Sequence, residues 1–277
     1  MRRCFVTLAK FIYEKTPSQK LRGFYYKLFC ALTRGRVVLF RTPEGFCYEL
    51  DLSNSIDSNL YLGKFEPEVA YAIEQYCRSG MTVLDIGANI GAHAVRLAYK
   101  IGKQGKLYAF EPTDYAYNRL VRNINLNAMM QVETFRMALS NKNAPGEKIS
   151  CVSRWKTDGN HVPEDCVVDF VRLDDWAETH KVSHIDLIKI DVDGNEYSIL
   201  EGGRNIIKQS RPLIIIEVWG MNFRNDKNNP FILLQYLGYR FFDMSREREY
   251  KTVDELRRQV SSSDGTLLDY SINIICN

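Results

Sequence analysis

The chain has 277 residues, of which 45% are hydrophobic and 26% charged, as in ordinary globular proteins. This composition excludes a disordered or collagen-like chain, and no apolar stretch approaches the roughly 18 residues that a membrane-spanning helix needs. The net charge of +3 is unevenly distributed. Residues 1–41 carry ten Lys and Arg against one acidic residue, so an arm of charge +9 precedes a body of charge −6.

Seven cysteines are scattered along the chain without the close spacing that a disulfide framework or a zinc site needs. We therefore predict free or buried thiols, no metal site and a reducing, cytoplasmic environment. The apolar run that opens the chain is interrupted by Lys10, so we predict no secretion. The cysteines are Cys4, Cys30, Cys47, Cys77, Cys151, Cys166 and Cys276.

The basic arm carries apolar residues at helical spacing. One amphipathic helix is predicted on Leu21, Phe24, Tyr25, Leu28, Phe29 and Leu32, and a shorter one on Phe5, Leu8, Ala9 and Ile12. Basic amphipathic helices often lie on anionic membrane surfaces, so residues 1–36 are a candidate for peripheral contact with the inner face of a membrane. A helical pair that caps the main domain is the alternative, and we weight the two equally.

A β-hairpin is predicted on Val37–Phe40 and Phe46–Leu50, which flank the turn residues 42–45. We assign residues 1–60 to the basic helical arm and this hairpin, and residues 61–277 to one larger domain. A helix that begins at Pro67 is expected near the start of the larger domain, because proline suits the first turn of a helix.

Strands and helices alternate in the larger domain, which predicts an α/β fold with a doubly wound, mostly parallel sheet. The predicted strands are Val83–Ile86, Leu107–Phe110, Val132–Phe135, Ile185–Ile190 and Leu213–Val218. Two later strands, Tyr239–Phe242 and Ser271–Ile275, are expected to pair as an antiparallel edge. Residues 141–175 fit no helix–strand unit, and we interpret them as an insertion that shapes a substrate site.

The sharpest motif is Asp85-Ile-Gly-Ala-Asn-Ile-Gly91, in which a strand enters a glycine-rich turn. Gly87 and Gly91 permit close approach of the backbone to a ligand beside a helix N-terminus. The spacing differs from the G-x-G-x-x-G fingerprint of dinucleotide-binding proteins, which argues against a dehydrogenase. Asp85 suits the ammonium group of a ligand that has an amino-acid tail.

Glu111 ends the second strand of this alternation, 24 residues after Gly87. An acidic residue at such a place chelates both hydroxyls of a ribose. Together with Asp85 and the turn, it describes a pocket for an adenosyl ligand. The alternative is an acidic residue placed only to favour a helix dipole, and we consider that weaker.

Asp191 and Glu217 stand at the ends of the fourth and fifth strands, where open α/β sheets bind their ligands. Lys189 precedes Asp191 on an apolar strand. Because a buried lysine costs free energy unless a carboxylate pairs with it, we predict an ion pair with Asp191, Asp193 or Glu217. The segment is not an EF-hand calcium loop, since its glycine comes at the fourth position rather than the sixth.

These motifs resemble those of the FkbM-type S-adenosylmethionine-dependent methyltransferases. The resemblance covers about residues 60–245, with its core at about 80–245. Its motifs are Asp85-Ile-Gly-Ala-Asn-Ile-Gly91, Phe110-Glu111-Pro112, Asn123-Ile-Asn-Leu-Asn127, Ala138-Leu139-Ser140, Leu173-Asp174, Lys189-Ile-Asp-Val-Asp-Gly194 with Glu196, and the strand from Pro212 to Glu217. One departure is Asp193, where similar proteins usually carry Glu, so the carboxylate reaches one methylene less far.

The resemblance implies a Rossmann-like class I methyltransferase fold with a seven-stranded sheet, and S-adenosyl-L-methionine as the cofactor. It also implies methylation of a hydroxyl group, often on a sugar, a glycan or a glycosylated natural product. The cofactor-binding residues it implies are Asp85, Gly87, Ala88, Asn89 and Gly91 for the methionine part, Glu111 for the ribose, Ala138 and Leu139 for the adenine, and Pro112 beside Glu111.

An alcohol that attacks in line with a leaving group benefits from alignment and from a base that takes its proton. Asp191, implied to lie near the sulfonium, is the first candidate for this base, Glu217 the second and His93 the third. His161, His180 and His184 show no metal-ligand spacing.

Two other functions stay open at this stage. An RNA methyltransferase is one, because a strongly basic arm suits phosphate backbones, although the sequence contains no recognisable nucleic-acid module. A non-catalytic adenosyl-binding scaffold is the other, since a fold alone does not prove activity. The sequence leaves the acceptor and the oligomeric state open.

Overall fold

The computed structural model describes residues 19–33, 35–151, 157, 164–268 and 270–277. The short helix predicted on Phe5, Leu8, Ala9 and Ile12 therefore lies outside the described residues, as does His161. Two compact units divide the chain. One contains residues 1–67 and 151–164, and the other contains residues 68–150 and 165–277. The domain boundary predicted after residue 60 stays a prediction.

The first unit contains the predicted amphipathic helix and hairpin. Its elements are α1 (Gln19–Thr33), β1 (Val37–Arg41), β2 (Cys47–Asp51) and α2 (Ser55–Tyr61). β1 and β2 pair antiparallel, as predicted, with Val37 opposite Asp51. Phe29 of α1 is fully buried and stacks on Tyr61 at a ring-centroid distance of 5.7 Å. The helix thus contributes one side to the interior of this unit.

The opposite side of α1 is exposed and apolar. Between 43% and 61% of each side chain is exposed for Leu21, Phe24, Leu28 and Leu32. The helical spacing of apolar residues correctly predicted this helix. It did not predict which of its apolar residues are buried and which are exposed. No helix in the described ranges is long and apolar enough to cross a bilayer.

The second unit is built on an eight-stranded sheet, in the order β12-β11-β13-β10-β9-β3-β4-β5. The five strands from β10 to β5 are parallel, and β13, β11 and β12 form an antiparallel edge. The strands are β3 (Thr82–Ile86), β4 (Lys106–Phe110), β5 (Val132–Phe135), β9 (Leu187–Ile190), β10 (Leu213–Trp219), β11 (Phe241–Phe242), β12 (Glu249–Tyr250) and β13 (Ser271–Cys276).

This sheet confirms the predicted α/β class and the mostly parallel arrangement with an antiparallel C-terminal edge. Seven strands were expected, and the short strand β12 is the eighth. β13 inserts between β10 and β11, so the last strand of the chain pairs with two strands, neither of which directly precedes it in the sequence. The strand β10 has Ile214, Ile215 and Ile216 buried, because neighbouring strands and helices cover it.

Helices connect the strands of the sheet. They are α3 (Pro67–Tyr76), α4 (Ala92–Ile101), α5 (Asp114–Leu126), α6 (Leu173–Thr179), α7 (Glu196–Gly202), α8 (Arg204–Ser210), α9 (Pro230–Tyr236) and α10 (Val253–Gln259). Trp176 of α6 is 1% exposed and packs edge-on against Tyr108 and Phe110 of β4, at centroid distances of 5.0 and 4.9 Å. Such aromatic pairs anchor the core on that face of the sheet.

Residues 141–175 differ from their prediction. They contribute β7 (Ala144–Cys151), β8 (Glu164–Arg172) and the start of α6, and a separate three-stranded sheet forms in the order β6 (Ala138–Ser140), β8, β7. The expectation that this stretch fits no helix–strand unit is therefore wrong for its described part. Alternating exposed and half-buried residues in β7 weaken the hydrophobic signal by which strands are recognised.

The thiol prediction also needs correction. Cys151 of β7 and Cys166 of β8 are disulfide-bonded, whereas Cys30, Cys47, Cys77 and Cys276 are free. Fourteen residues separate Cys151 from Cys166 in the sequence, so spacing alone gave no sign of the bond. Pairing of adjacent strands brings such distant positions together.

Candidate active site

The glycine-rich turn joins β3 to α4 at the carboxyl end of the sheet. The amides of Gly87 and Ala88 both donate to the carbonyl of Phe110, at 3.0 and 2.9 Å. Gly87, Asn89 and Gly91 have φ values of 82°, 48° and 87°, a left-handed backbone that favours glycine. This turn is therefore tied to the end of the neighbouring strand β4.

Packing requires a glycine at position 87. A Cβ atom at this position would lie 1.8 Å from the carbonyl oxygen of Asp191, which follows β9. At Gly91 the nearest atom would be the Leu120 Cδ1 atom, at 2.9 Å. The ends of β3 and β9 thus come together only because residue 87 lacks a side chain.

Glu111 is buried against the same turn. Its Oε2 atom accepts from the Asn89 amide at 3.0 Å, and its Oε1 atom accepts from the Thr113 amide and hydroxyl at 3.0 and 2.6 Å. Burial raises the pKa of Glu111, and the hydrogen bonds from Thr113 and Asn89 partly counter this. A carboxylate has about four acceptor positions, so three bonds leave room for another donor. Thr113 is a supporting residue that the sequence analysis missed.

A buried lysine stands between two carboxylates at the ends of β3 and β9. The Nζ atom of Lys189 lies 2.9 Å from Asp191 Oδ2 and 3.8 Å from Asp85 Oδ1. Lys189 is 3% exposed and Asp85 fully buried. The predicted ion pair with Asp191 is confirmed. The contact with Asp85 was not predicted, and it follows from the register in which Asp85 lies opposite Lys189 in the sheet.

Further carboxylates surround Asp191. Burial raises the pKa of Asp193, helped by the negative charge of Asp191 and opposed by Lys189. Glu217, near the end of β10, has its pKa raised to about 8, first by burial and then by Asp191, while a hydrogen bond with Ser271 opposes the shift. Such raised values are typical of functional sites. These acidic residues suit a positively charged ligand.

Glu196 at the start of α7 is fixed by two neighbours. It accepts from the Gly194 amide at 3.0 Å and from Asn222 Nδ2 at 2.9 Å. Asn222 Oδ1 in turn accepts from the Trp219 amide at 2.7 Å. Asn222 thereby joins the segment after β10 to the start of α7. No pattern in the sequence indicated this residue.

The remaining candidates lie on elements around the turn. His93 is buried in the first turn of α4, Leu139 is buried in β6, and Ala138 is half-buried beside it. Pro112 directly follows Glu111 and is half-buried. The roles of these four residues stay predictions. His180 stacks on Trp176, and His184 lies 3.1 Å from Asp186.

Comparison with known proteins identifies the family of the site. Residues 85–249 match the methyltransferase FkbM domain, a range that contains the turn, Glu111, Asp191 and Glu217. The chain is 28% identical over 148 residues to the 2-O-methyltransferase NoeI of Sinorhizobium fredii, covering 47% of this chain and 60% of NoeI. It is also 28% identical over 137 residues to the hexuronic acid methyltransferase AglP of Haloferax volcanii, covering 48% and 54%.

The chain therefore spans between 54% and 60% of the length of these two relatives. Among solved structures, the methyltransferase FkbM of Methylobacillus flagellatus aligns with a TM-score of 0.40 at 17% identity, covering 79% of this chain and 52% of that one. A SAM-dependent methyltransferase of Aquifex aeolicus aligns with a TM-score of 0.40 at 15% identity, covering 79% and 96%.

Proposed function

The chain belongs to the methyltransferase FkbM domain family, and from this premise we propose that it transfers a methyl group from S-adenosyl-L-methionine to a hydroxyl of a sugar or glycan. The observation that carries the proposal is the joining of Asp85, Lys189 and Asp191 beside the glycine-rich turn. The names of the relatives, a 2-O-methyltransferase and a hexuronic acid methyltransferase, support an oxygen acceptor on a sugar. They do not favour the RNA alternative.

The residues around the turn suit this cofactor. Glu111 is buried but keeps acceptor capacity, which suits ribose hydroxyls, and it is fixed by Asn89 and Thr113. Asp85 and Asp191 bring two carboxylates to one lysine, an excess of negative charge that suits an ammonium or a sulfonium group. When bound, S-adenosyl-L-methionine supplies an activated methyl group.

Asp191 is the proposed base. The Lys189 ammonium lies 2.9 Å from Asp191 Oδ2 and orients this carboxylate, which can accept the proton of an acceptor hydroxyl. Glu217, with a pKa of about 8, is mostly protonated at neutral pH and is then unable to do so. We assign Glu217 to shaping the charge of the site and keep His93 as the third candidate.

Calorimetry of S-adenosyl-L-methionine binding tests the cofactor assignment. Replacing Glu111 with Ala should weaken binding by about 1–3 kcal/mol, as expected for lost hydrogen bonds to a charged group. Glu111→Gln keeps the size of the side chain and separates the loss of charge from the loss of packing. Thermal unfolding of each variant controls for damage to the Asn89 and Thr113 contacts. Absence of binding by folded wild type, or binding of NADH in its place, would refute the proposal.

We further propose that the basic arm, residues 1–36, contacts an anionic membrane surface. The support is the exposed apolar face of α1, made of Leu21, Phe24, Leu28 and Leu32, together with ten Lys and Arg among residues 1–41. Apolar side chains enter the interface while basic ones attract anionic lipids. This contact would hold the enzyme near lipid-linked acceptors.

A further inference from the structure

A cavity of about 280 Å³ lies among α7, α8, α9 and the segment that precedes α9. Its volume is just below the roughly 300 Å³ at which pockets for drug-sized ligands begin, so it suits one sugar unit rather than a whole oligosaccharide. The residues that carry the argument are Tyr197, Arg204, Asp226, Lys227, Asn229 and Tyr236.

Two segments that line the cavity also carry residues near the proposed active site. Tyr197 directly follows Glu196 in α7, and Glu196 is the residue to which Asn222 donates at 2.9 Å. Lys227 and Asn229 follow the same segment after β10, five and seven residues beyond Asn222. The start of α7 and the segment after β10 therefore carry both the residues around Glu196 and part of the cavity lining.

Two N–H groups at the cavity lack a hydrogen-bond partner. Among the residues that the structure describes, nothing accepts from Asn229 Nδ2 or from Arg204 Nε. Asn229 is 1% exposed, and its Oδ1 atom is occupied at the start of α9, where it accepts from the Phe231 and Ile232 amides at 2.9 and 3.3 Å. Buried donors without acceptors are costly, so these two indicate an acceptor-rich ligand.

The charged and aromatic residues that line the cavity restrict the class of ligand that it can bind. Arg204 and Lys227 bring two cations against one carboxylate, Asp226, although Glu201 also pairs with Arg204 Nη2 at 2.6 Å. Tyr236 is 78% exposed and lies beside the Arg204 guanidinium. Aromatic faces carry partial negative charge and attract the C–H groups of a sugar ring, while the cations attract a carboxylate.

We propose that this cavity is a secondary saccharide subsite that holds a carboxylate-bearing pyranose of the acceptor, apart from the hydroxyl that receives the methyl group. The inference rests on the proposed function, because it assumes a glycan acceptor. Tyr236 supplies the stacking face, and Arg204, Lys227 and Asn229 supply donors to the carboxylate and ring oxygens.

The test measures binding of methyl β-D-glucuronide by NMR titration, with S-adenosylhomocysteine present. Asn229→Asp keeps the oxygen that caps α9 but replaces the donor with an acceptor. Tyr236→Ala removes an exposed ring, so it should fold like the wild type. Each is expected to weaken binding about tenfold, the equivalent of one hydrogen bond to a charged group. Tyr99→Ala, on an exposed tyrosine of α4 outside the cavity, is the matched control and should bind like the wild type.

Three results would overturn the subsite. These are unchanged glucuronide binding in folded Asn229→Asp and Tyr236→Ala, equal weakening in Tyr99→Ala, and binding of neutral methyl β-D-glucoside as tight as that of the glucuronide. Calorimetry of S-adenosyl-L-methionine on the same samples reports the proposed function separately. Retained cofactor binding with no effect at the cavity rejects the subsite alone, whereas absent cofactor binding rejects the methyltransferase assignment.

Discussion

Asp191 and Glu217 have different neighbours, although both stand at the carboxyl ends of strands. Lys189 contacts Asp191 directly, whereas no lysine contributes to the shift of Glu217, which burial and the neighbouring acidic residues dominate. A raised pKa means that the native state holds a proton the unfolded chain releases. Two similar side chains at the ends of neighbouring strands thus acquire different roles from the groups around them.

Replacing Glu217 tests its raised pKa through the pH dependence of the protein's stability. Because its pKa rises from 4.5 to about 8, its stabilising contribution is fully present below about pH 4.5 and is lost as the pH rises through 8. Thermal unfolding of the wild type should therefore show stability that falls between about pH 4.5 and 8, and Glu217→Gln should flatten that decline. A decline of equal steepness in the variant would contradict the assigned pKa.

The methyl-transfer activity of the same variant tests which residue acts as the general base. We expect Glu217→Gln to keep most of the methyl-transfer rate at pH 7, while Asp191→Asn loses roughly 10²–10⁴-fold, the range for general base catalysis. The comparison of kcat at saturating cofactor is the measurement. A large loss in Glu217→Gln with a modest one in Asp191→Asn would reverse the two assignments.

The turn after β3 depends on a glycine for a reason that the motif alone did not give. The motif predicts close approach of a ligand to Gly87, but the structure shows a different constraint, since the Asp191 carbonyl lies where a side chain would be. Strand order explains the difference, since β9 becomes the neighbour of β3 only in the folded sheet. Contacts of this kind join residues about a hundred positions apart.

Gly87→Ala and Gly80→Ala form a matched pair. Both glycines have left-handed backbones, with φ values of 82° and 86°, but a Cβ atom at Gly80 meets nothing within 4 Å. Left-handed strain alone costs about 1–2 kcal/mol, which we expect for Gly80→Ala in denaturant unfolding. Gly87→Ala should cost clearly more and weaken cofactor binding, because the end of β9 must move. Equal costs would mean that the close approach to Asp191 does not matter.

The three-stranded sheet contains the only disulfide-bonded cysteines among the described residues, Cys151 and Cys166. A disulfide that closes a loop of about 15 residues stabilises a fold by about 3 kcal/mol in the chain-entropy model. Reduction, or Cys151→Ser, should lower the free energy of unfolding by that order, measured by denaturant titration. Cys47→Ser, at a free thiol, is the control, and an equal effect of both variants would argue against the bond.

Sequence patterns predicted the elements whose signal is local. The alternation from β3 to β10 was recovered because each strand is a short apolar run followed by a helical repeat, and Glu111 and Asp191 followed from strand ends. Thr113, Asn222 and the strands β7 and β8 were not recovered. Thr113 and Asn222 act through individual hydrogen bonds that no sequence repeat reflects. The strands lack a continuous buried face, so they leave no periodic pattern either.

The basic arm and the remainder of the chain have net charges of opposite sign. The arm carries +9 within 41 residues, while residues 42–277 carry −6. Within this basic arm, α1 also exposes four large apolar side chains on one face. A basic segment that also exposes apolar groups suits an anionic membrane, whose charged headgroups cover an apolar interior. Nucleic acid offers the charge without the apolar layer.

Vesicle sedimentation separates these surfaces. The wild type should sediment with vesicles containing phosphatidylserine but not with pure phosphatidylcholine, and added salt should weaken binding because screening shortens the reach of the charges. Phe24→Glu combined with Leu28→Glu should abolish binding, since each buried apolar side chain contributes about 1.5–3 kcal/mol. Met130→Glu, at a residue 89% exposed in the second unit, is the matched control. If the double variant sediments at wild-type levels, the apolar face does not contribute to binding. The arm would then bind through its charge alone, as it would to any polyanion.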